Sequence, residues 1–137
     1  SDVPVVGYDL LSTFAELAGS TKPLPQGIEG GSVKAVLLNG GTGAVQRPQT
    51  GLHFYRPLDS VLIRDGHKLR RTHRTGEIEL YNLAEDLSET TNLATTNPLL
   101  AKRMQTGLED WIRSINATTP SPLDRRPKRN PRNGVKR

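Results

Sequence analysis

The sequence predicts an α+β fold, in which a small antiparallel sheet of about four strands is packed by a C-terminal amphipathic helix, with another helix near the N-terminus. Two observations support this prediction. After Gly51, apolar residues recur at every second position in short runs separated by turn signals, which is typical of half-buried antiparallel strands. From about Pro98 to Ile115, the apolar residues instead recur with the period of a helix.

The first predicted element is a helix over residues 9–18, with the sequence DLLSTFAELA. Asp9 is the expected N-cap, and Gly19 is the expected C-terminal stop. The apolar residues of this helix form one stripe: Leu10, Leu11, Phe14, Leu17 and Ala18. A loop rich in Pro and Gly follows, and the segment SVKAVLLNG then predicts one or two helical turns that end at Gly40 and Gly41.

The strands are predicted by alternation and by the turns between them. Asp65-Gly66 separates SVLIR from HKLRRTH, and Thr75-Gly76 separates that strand from EIELYN, so tight hairpins give a consecutive meander. In the first strand, Leu52 and Phe54 alternate with His53 and Tyr55. In the second, Val61 and Ile63 alternate with Leu62, and in the last, Ile78 and Leu80 alternate with Glu77 and Glu79.

The last element is a helix from about Pro98 to Ile115. Asn97 is the expected N-cap, and Pro98 takes the first helical position, where its missing N–H costs nothing. The helix places five large apolar residues on one face: Leu100, Met104, Leu108, Trp111 and Ile115. Packing that face against the sheet is the economical architecture.

The positive charge of the chain is concentrated at its C-terminal end. The formal net charge is +5, and residues 120–137 carry seven basic residues against one acidic residue, which leaves −1 for the first 119 residues. This tail is rich in Pro, Arg and Asn, so we expect it to be disordered. Because the basicity belongs to the tail, the composition disfavours a folded nucleic-acid-binding domain.

Other compositional features exclude several classes of function. No run approaches the roughly 18–20 apolar residues that a membrane span needs, so no membrane partner is predicted. The chain has no cysteine, which excludes disulfides, thiolate zinc sites and a cysteine nucleophile. The sequence also lacks a G-x-S-x-G turn, a G-x-G-x-x-G motif and a phosphate-binding loop.

A loop after the last strand has the spacing of a calcium site but lacks two required residues. Oxygen-bearing side chains occur at every second position, at Asp86, Ser88, Thr90 and Asn92. The sixth and twelfth positions hold Thr91 and Asn97, where a calcium hand needs Gly and Glu. We therefore interpret these residues as turn and cap formers.

The histidines do not predict a metal site either. His53, His67 and His73 all fall on predicted strands, and His67 and His73 would lie about 20 Å apart along an extended strand. The residues of this chain therefore predict no catalytic group, no metal ligand and no cofactor.

The order of the motifs is more specific than any one of them. DVPVVGYDLLSTFAELAG is followed by GIEGGSV, LHFYRP, SVLIRDGHKL, GEIELYNLAEDLSETTNLA and a helix that ends in LEDWIRSINA. This succession resembles the C-terminal part of bacterial sulfatases of the arylsulfatase type, in the alkaline phosphatase-like superfamily. The resemblance covers about Ser1 to Ala117, and it implies the C-terminal subdomain of that fold.

The resemblance implies a parent enzyme that hydrolyses sulfate esters, in the periplasm or outside the cell. Such an enzyme uses a formylglycine, made from Cys or Ser in a C-x-P-S-R type motif, and a calcium ion held by Asp and Asn. Those residues lie upstream of the segment that begins at Ser1, so this chain alone is expected to be inactive. Its implied partner is the missing N-terminal catalytic domain.

The resemblance also divides the chain into three parts. Residues 1–50 are a helix and loops that would pack on the missing catalytic domain, residues 51–117 are the sheet and C-terminal helix, and residues 118–137 are the basic tail. We expect apolar surface both on the N-terminal helix and on a second face of the sheet that includes Leu62 and Tyr81. Without that domain, the first part should be loosely held.

Substrate contact, if this segment makes any, is expected at LHFYRP. Relatives commonly carry a His two residues before the Pro of this segment, and often another His just after it, near the rim of the substrate cleft. Those places here hold Tyr55 and the run Leu58-Asp59-Ser60. Tyr55 and Arg56 are the candidate substrate-binding residues. The alternative function is a stand-alone binding module that uses its basic tail on an anionic partner, such as a sulfated glycan or nucleic acid.

Overall fold

The computed structural model describes residues 1–115, which form two units, Ser1–Leu52 and a second unit that begins at His53. The first unit contains helices α1 (Asp9–Leu17) and α2 (Lys34–Leu38). The remaining elements are strands β1 (Leu52–Tyr55), β2 (Asp59–Arg64), β3 (His67–Thr72) and β4 (Ile78–Asn82), and helix α3 (Pro98–Ser114). The basic tail, whose disorder the composition predicts, lies outside the described residues.

The four strands form one antiparallel sheet in the order β1-β2-β3-β4, which confirms the predicted α+β class. The turn between β2 and β3 contains Asp65 and Gly66 with φ of 50° and 72°, the left-handed values that a tight hairpin turn requires. The turn before β4 is wider, because the backbone hydrogen bonds join Thr72 to Glu77 and to Gly76. His73 therefore lies in the turn, and its assignment to a strand was wrong.

The core of the second unit forms where one face of the sheet meets α3. Leu62 pairs with Leu69 and Leu69 pairs with Leu80, so the three side chains lie side by side on that face. The helix contributes Ala101, Met104, Leu108, Trp111 and Ile112. Asn97 caps the helix as predicted, since its side-chain oxygen accepts from the backbone N–H of Leu100.

Two predictions about this core were wrong. Leu62 was expected on the second face of the sheet, but it is fully buried against α3, because Val61 and Leu62 are both apolar and the alternation alone does not say which one faces the helix. Ile115 was expected on the buried face of α3, but it follows the last helical residue and is 42% exposed. Ile112, one turn after Leu108, is buried instead.

Polar side chains cover much of the second face of the sheet. The Lys68 ammonium contacts both carboxylate oxygens of Glu89, at 2.5 and 2.7 Å. The Tyr81 hydroxyl donates to Glu79, and burial together with the nearby Glu79 charge raises the pKa of Tyr81. This face is therefore stabilised by hydrogen-bonded charges as well as by apolar contacts.

The N-terminal helix α1 has its polar side buried and its apolar side exposed. Asp9, Ser12 and Thr13 are buried, whereas Leu10, Leu11, Phe14 and Leu17 are about half exposed. Asp9 was expected to be the N-cap, but it is the first helical residue and Tyr8 takes the cap position without a side-chain bond. Gly19 ends the helix region with φ of 66°, a value that glycine adopts without strain.

Among residues 1–115, no helix is both long enough and apolar enough to cross a membrane.

Candidate functional site

The two candidate substrate-binding residues lie at the end of β1, where the chain turns into β2. The backbone N–H of Arg56 donates to the carbonyl of Asp59 at 2.9 Å, which closes this turn. The segment PLD between Arg56 and Ser60 is therefore a short connection, and Leu58 within it is 80% exposed. Tyr55 and Arg56 thus stand at one end of the sheet.

Arg56 belongs to a cluster of charges around Asp59. Its Nε and Nη2 donate to the two oxygens of Asp59 at 2.7 and 2.9 Å, and Arg70 Nε donates to the same carboxylate at 2.9 Å. Burial alone would raise the pKa of Asp59, but the hydrogen bonds from Arg70 and Arg56 outweigh it and hold that pKa below its ordinary value. Arg70 also binds Glu79 at 2.9 Å, so the cluster contains two cations and two anions.

Tyr55 belongs to a different cluster. Its ring lies 5.1 Å from the ring of His73, and His73 Nε2 is 2.7 Å from the hydroxyl of Ser60. Ser60 is fully buried, so its hydroxyl bonds to His73 inside the protein and is not accessible to a substrate. The other ring nitrogen of His73, Nδ1, is buried without a hydrogen-bond partner among the described residues.

The structure does not bring Tyr55 and Arg56 together into one site. Arg56 binds Asp59, whereas Tyr55 contacts His73, which in turn contacts Ser60. Asp59 and Ser60 are consecutive in β2, so their side chains point to opposite faces of the sheet. Any ligand contact at this strand end would therefore involve the two residues from different sides.

His53 supports β1 from the side of the helix. Its ring is stacked on the indole of Trp111 with the centroids 5.0 Å apart, and both residues are buried. Sequence reasoning placed His53 on a strand and Trp111 on the inner face of the helix, but it had no signal for this pairing. The contact joins β1 to α3 and so helps to position the strand end that carries Tyr55.

The loop over residues 86–92 is a capped turn and not a calcium site. The carboxylate of Asp86 accepts from the backbone N–H of Thr90 and of Thr91, and from the Thr90 hydroxyl, at 2.8–3.0 Å. These backbone hydrogen bonds lower the pKa of Asp86. Because the carboxylate oxygens bond to the loop itself, the residues do not fit a bound calcium ion.

Asn92 ties the same loop to the sheet. Its side-chain oxygen accepts from the backbone N–H groups of Leu80 and Ala94 at 3.0 and 2.9 Å, and the N–H of Leu93 donates to the carbonyl of Leu80 at 2.7 Å. The loop therefore provides hydrogen-bond partners for the backbone N–H and carbonyl of Leu80 at the outer edge of β4, which an open strand edge would leave exposed.

The described part of the chain, residues 1–115, contains no group of three His, Asp or Glu side chains arranged to hold a metal ion. Calcium, which the sulfatase resemblance implies, therefore has no matching group of ligands among these residues, and the sequence contains no C-x-P-S-R or S-x-P-S-R motif for a formylglycine. No step of a reaction can be assigned to these side chains.

Nothing in the sequence indicated that Asp9 is the centre of a buried hydrogen-bond network in the first unit. Asp9 is fully buried, and Arg47 donates to both of its oxygens, at 2.9 and 2.6 Å. The backbone N–H groups of Val6 and Gly31 donate to the same carboxylate at 2.9 and 3.1 Å. Burial would raise the pKa of Asp9, but these hydrogen bonds and the Arg47 charge lower it below its ordinary value.

Comparison with known proteins relates the chain to part of a longer protein. No family model matches the chain. A protein named Sulfatase from Formosa agariphila is 33% identical over 134 residues, which cover 81% of this chain and 23% of the relative. The chain thus spans about a quarter of the length of this relative.

Solved structures show the same partial match. BT4656, determined in complex with its substrate D-glucosamine-2-N,6-O-disulfate, superposes with a TM-score of 0.59 at 22% identity. BT1596, a 2-O GAG sulfatase, superposes with a TM-score of 0.58 at 22% identity. Each match covers 79% of this chain and 24% of the solved chain, as a C-terminal subdomain would. The resemblance seen in the sequence is therefore confirmed: the chain is similar in sequence to part of the Formosa agariphila sulfatase and shares the fold of a segment of the solved sulfatases.

Proposed function

We propose that this chain is the C-terminal subdomain of a sulfatase that hydrolyses sulfate esters. In this proposal the segment completes the fold and shapes the substrate entrance, and the remaining part of the protein supplies the catalytic residues. The observation that carries the proposal is the 33% identity to the Formosa agariphila sulfatase, which extends over 81% of this chain. The likeness to sulfatase structures supports it at the level of fold.

The chemistry is assigned to the part of the parent protein that this chain does not match. A formylglycine would supply the nucleophile there, and calcium would hold the negatively charged ester. The described residues offer neither a cysteine nor a carboxylate cluster that could take these roles. The partner of this segment is then the N-terminal catalytic domain of the same protein.

We propose Arg56 and Tyr55 as contacts at the rim of the substrate entrance. The side chain of Arg56 is 58% exposed, and Asp59 occupies Nε and Nη2, so the N–H groups of Nη1 can donate to an anionic group of a substrate. Asp59 would act by holding the guanidinium in place. Tyr55, with its ring against His73, would contribute on the other side of the strand.

The proposal is tested on the complete reading frame that encodes residues 1–137. We expect a C-x-P-S-R or S-x-P-S-R motif upstream, and we expect the purified full-length protein to release sulfate from an aryl sulfate or from a panel of sulfated sugars. Arg56→Ala should raise KM with little change in kcat, because it removes a contact made equally in the ground state and the transition state.

A matched control is Arg113→Ala, since Arg113 is an exposed cation on α3 in the same unit. Its KM should stay at the value of the unmodified protein. The proposal is overturned if the reading frame contains no such motif, or if the purified 137-residue chain hydrolyses an aryl sulfate by itself and loses that activity when one of its own residues is replaced.

A further inference from the structure

The loop after α2 contains an asparagine that is accessible together with the residue that follows it. Asn39 is exposed and comes directly after the last residue of α2, and Gly40 is exposed as well. Gly40 has φ of 61°, and nothing lies within 4 Å of a Cβ built on it, so the space beside the backbone is open. Because Gly41 and Gly43 follow closely, the backbone of this loop changes conformation at little steric cost.

The backbone nitrogen of Gly40 is unbonded, although the nitrogens on both sides of it are bonded. The N–H of Asn39 donates to the carbonyl of Ala35 at 3.0 Å, and the N–H of Gly41 donates to the carbonyl of Val36 at 2.9 Å. The N–H of Gly40 has no acceptor anywhere in residues 1–115. This nitrogen is therefore free to act as a nucleophile on the neighbouring side-chain amide.

The other three asparagines of residues 1–115 lack this combination. The N–H groups that directly follow Asn82 and Asn92 donate to backbone carbonyls, at 2.8 and 2.7 Å. Asn97 is followed by a proline, which has no N–H. Within the described part of the chain, an unbonded backbone N–H follows an asparagine only at Asn39.

We propose that Asn39-Gly40 is a site of deamidation, at which the chain reacts with its own backbone and then with water. The nitrogen of Gly40 forms a bond to Cγ of Asn39, the bond between Cγ and Nδ2 breaks, and Nδ2 leaves as ammonia with the proton that Gly40 gives up. Water then opens the cyclic imide. Attack at Cγ gives aspartate, whereas attack at the backbone carbonyl carbon gives isoaspartate, in which the main chain runs through Cγ. The reaction needs no sulfatase chemistry, so this inference goes beyond the proposed function.

The contacts that hold the Asn39 side chain are exposed. Its Nδ2 donates to the hydroxyl of Thr42 at 2.9 Å, and that hydroxyl donates to the backbone carbonyl of Asn39 at 2.8 Å. Since both residues are exposed, water replaces these bonds with a small change in free energy. The helix that precedes them has only five residues, so its end opens readily.

The modification would change how α2 ends. Isoaspartate adds a methylene to the main chain, and it adds a carboxylate at the C-terminal end of the helix, where negative charge is unfavourable. Gly41 donates to the carbonyl of Val36, which is buried, and accepts from the hydroxyl of Ser1 at 2.5 Å. We therefore expect the amide of Gly41 to exchange its hydrogen faster in the modified protein.

Incubation of the full-length protein in mildly alkaline buffer, followed by peptide mapping with mass spectrometry, tests the proposal. Incubation continues until a urea-denatured sample has reacted at position 39. We expect the folded protein to show the mass increase that replacement of ammonia by water produces at Asn39, and to be methylated there by an isoaspartyl methyltransferase. Asn82 and Asn92 are internal controls and should stay intact. The mapping also separates this site from Asn133-Gly134 in the tail.

Two variants connect the modification to the structure. Asn39→Gln should lose the signal at position 39, because the longer side chain closes its ring much more slowly. Gly40→Ala should slow the reaction, because the added Cβ shields the nitrogen. The φ of 61° disfavours alanine at position 40, so Asn39→Gln serves alone if that variant fails to fold.

Three results would overturn the inference. They are an intact Asn39 in the folded protein after the denatured sample has reacted, equal rates at Asn39 and at Asn82 or Asn92, and a signal that persists in Asn39→Gln. Each of these results leaves the hydrolysis of sulfate esters, which is measured separately, unaffected.

Discussion

Arg47 forms a bidentate ion pair with Asp9 inside the first unit, with 2.9 Å between Nε and Oδ1 and 2.6 Å between Nη2 and Oδ2. The carboxylate has no exposed surface, and the side chain of Arg47 is only 10% exposed. Arg47 Nη2 also donates to the carbonyl of Pro4 at 2.8 Å, so the pair ties together the N-terminal segment, α1 and the segment that carries Arg47. These bonds add to the small apolar core of the first unit, in which Val33, Val36 and Leu52 are buried.

Replacing Asp9 by Asn should destabilise the first unit by about 3–5 kcal/mol, because it leaves Arg47 as a buried cation without its anion. Urea unfolding, followed by hydrogen exchange at the amides of Gly31 and Val33, measures the loss. Glu16→Gln is the control, since the Glu16 contact to Lys34 is long and half exposed, and it should change stability by less than about 1 kcal/mol. Equal effects of the two substitutions would contradict the structural role of Asp9.

The same ion pair predicts a dependence of stability on pH. The pKa of folded Asp9 lies below its ordinary value of 3.8, so the ionised form favours folding above that value. The stabilisation should be lost as the pH falls below 3.8 towards the pKa that Asp9 has in the folded protein. Urea unfolding at several pH values should show the difference between the unmodified protein and Asp9→Asn shrinking over this range. A difference that stays constant down to about pH 2 would exclude Asp9 as the titrating group.

Gly31→Ala should be poorly tolerated, because an added Cβ would lie 2.0 Å from the backbone oxygen of Gln46. The clash involves backbone on both sides, so we expect a loss of about 1–3 kcal/mol in the free energy of unfolding. Gly7→Ala is a matched control, since nothing lies within 4 Å of its added Cβ. Thermal unfolding of the two variants should separate them clearly, and similar midpoints would contradict the close approach at Gly31.

Asn92→Ala should cost about 1–3 kcal/mol, because the backbone N–H of fully buried Leu80 loses its acceptor. Asn92→Asp keeps an oxygen in the same place and should recover most of the stability. Hydrogen exchange at the Leu80 amide reports the effect directly. If Asn92→Ala leaves the exchange rate unchanged, the loop does not protect the edge of β4 as the hydrogen bonds indicate.

Deleting residues 120–137 should abolish retention on a heparin column at moderate salt. The deleted segment carries a net charge of +6 and the rest of the chain −1, so the attraction to an anionic surface belongs to the tail. Retention that survives the deletion would place a basic surface on residues 1–119. It would also strengthen the alternative function, a binding module for anionic partners.

The elements of the second unit and their order follow from local signals in the sequence. Alternation of apolar residues defines the strands, the Asp65-Gly66 pair provides the left-handed turn, and Asn97-Pro98 marks the start of α3. These signals are local, because each depends on the backbone preferences of a few neighbouring residues. The motif order also identified the sulfatase relationship, which the comparison with the Formosa agariphila protein confirmed.

The side of each element that is buried depends instead on contacts between residues that are distant in sequence. Val61 and Leu62 are both apolar, and strand pairing placed Leu62 beside Leu69 and against α3. In α1, the sequence indicates the apolar stripe but not the burial of Asp9 on the other side of the helix, because its partner Arg47 lies 38 residues away in sequence and no local pattern indicates the pairing. Tyr55 and Arg56 are adjacent in sequence, but Tyr55 contacts His73, which lies 2.7 Å from the Ser60 hydroxyl, whereas Arg56 binds Asp59. Ser60 and Asp59 are consecutive in β2 and point to opposite faces of the sheet. Such choices depend on long-range contacts, and local periodicity carries no information about them.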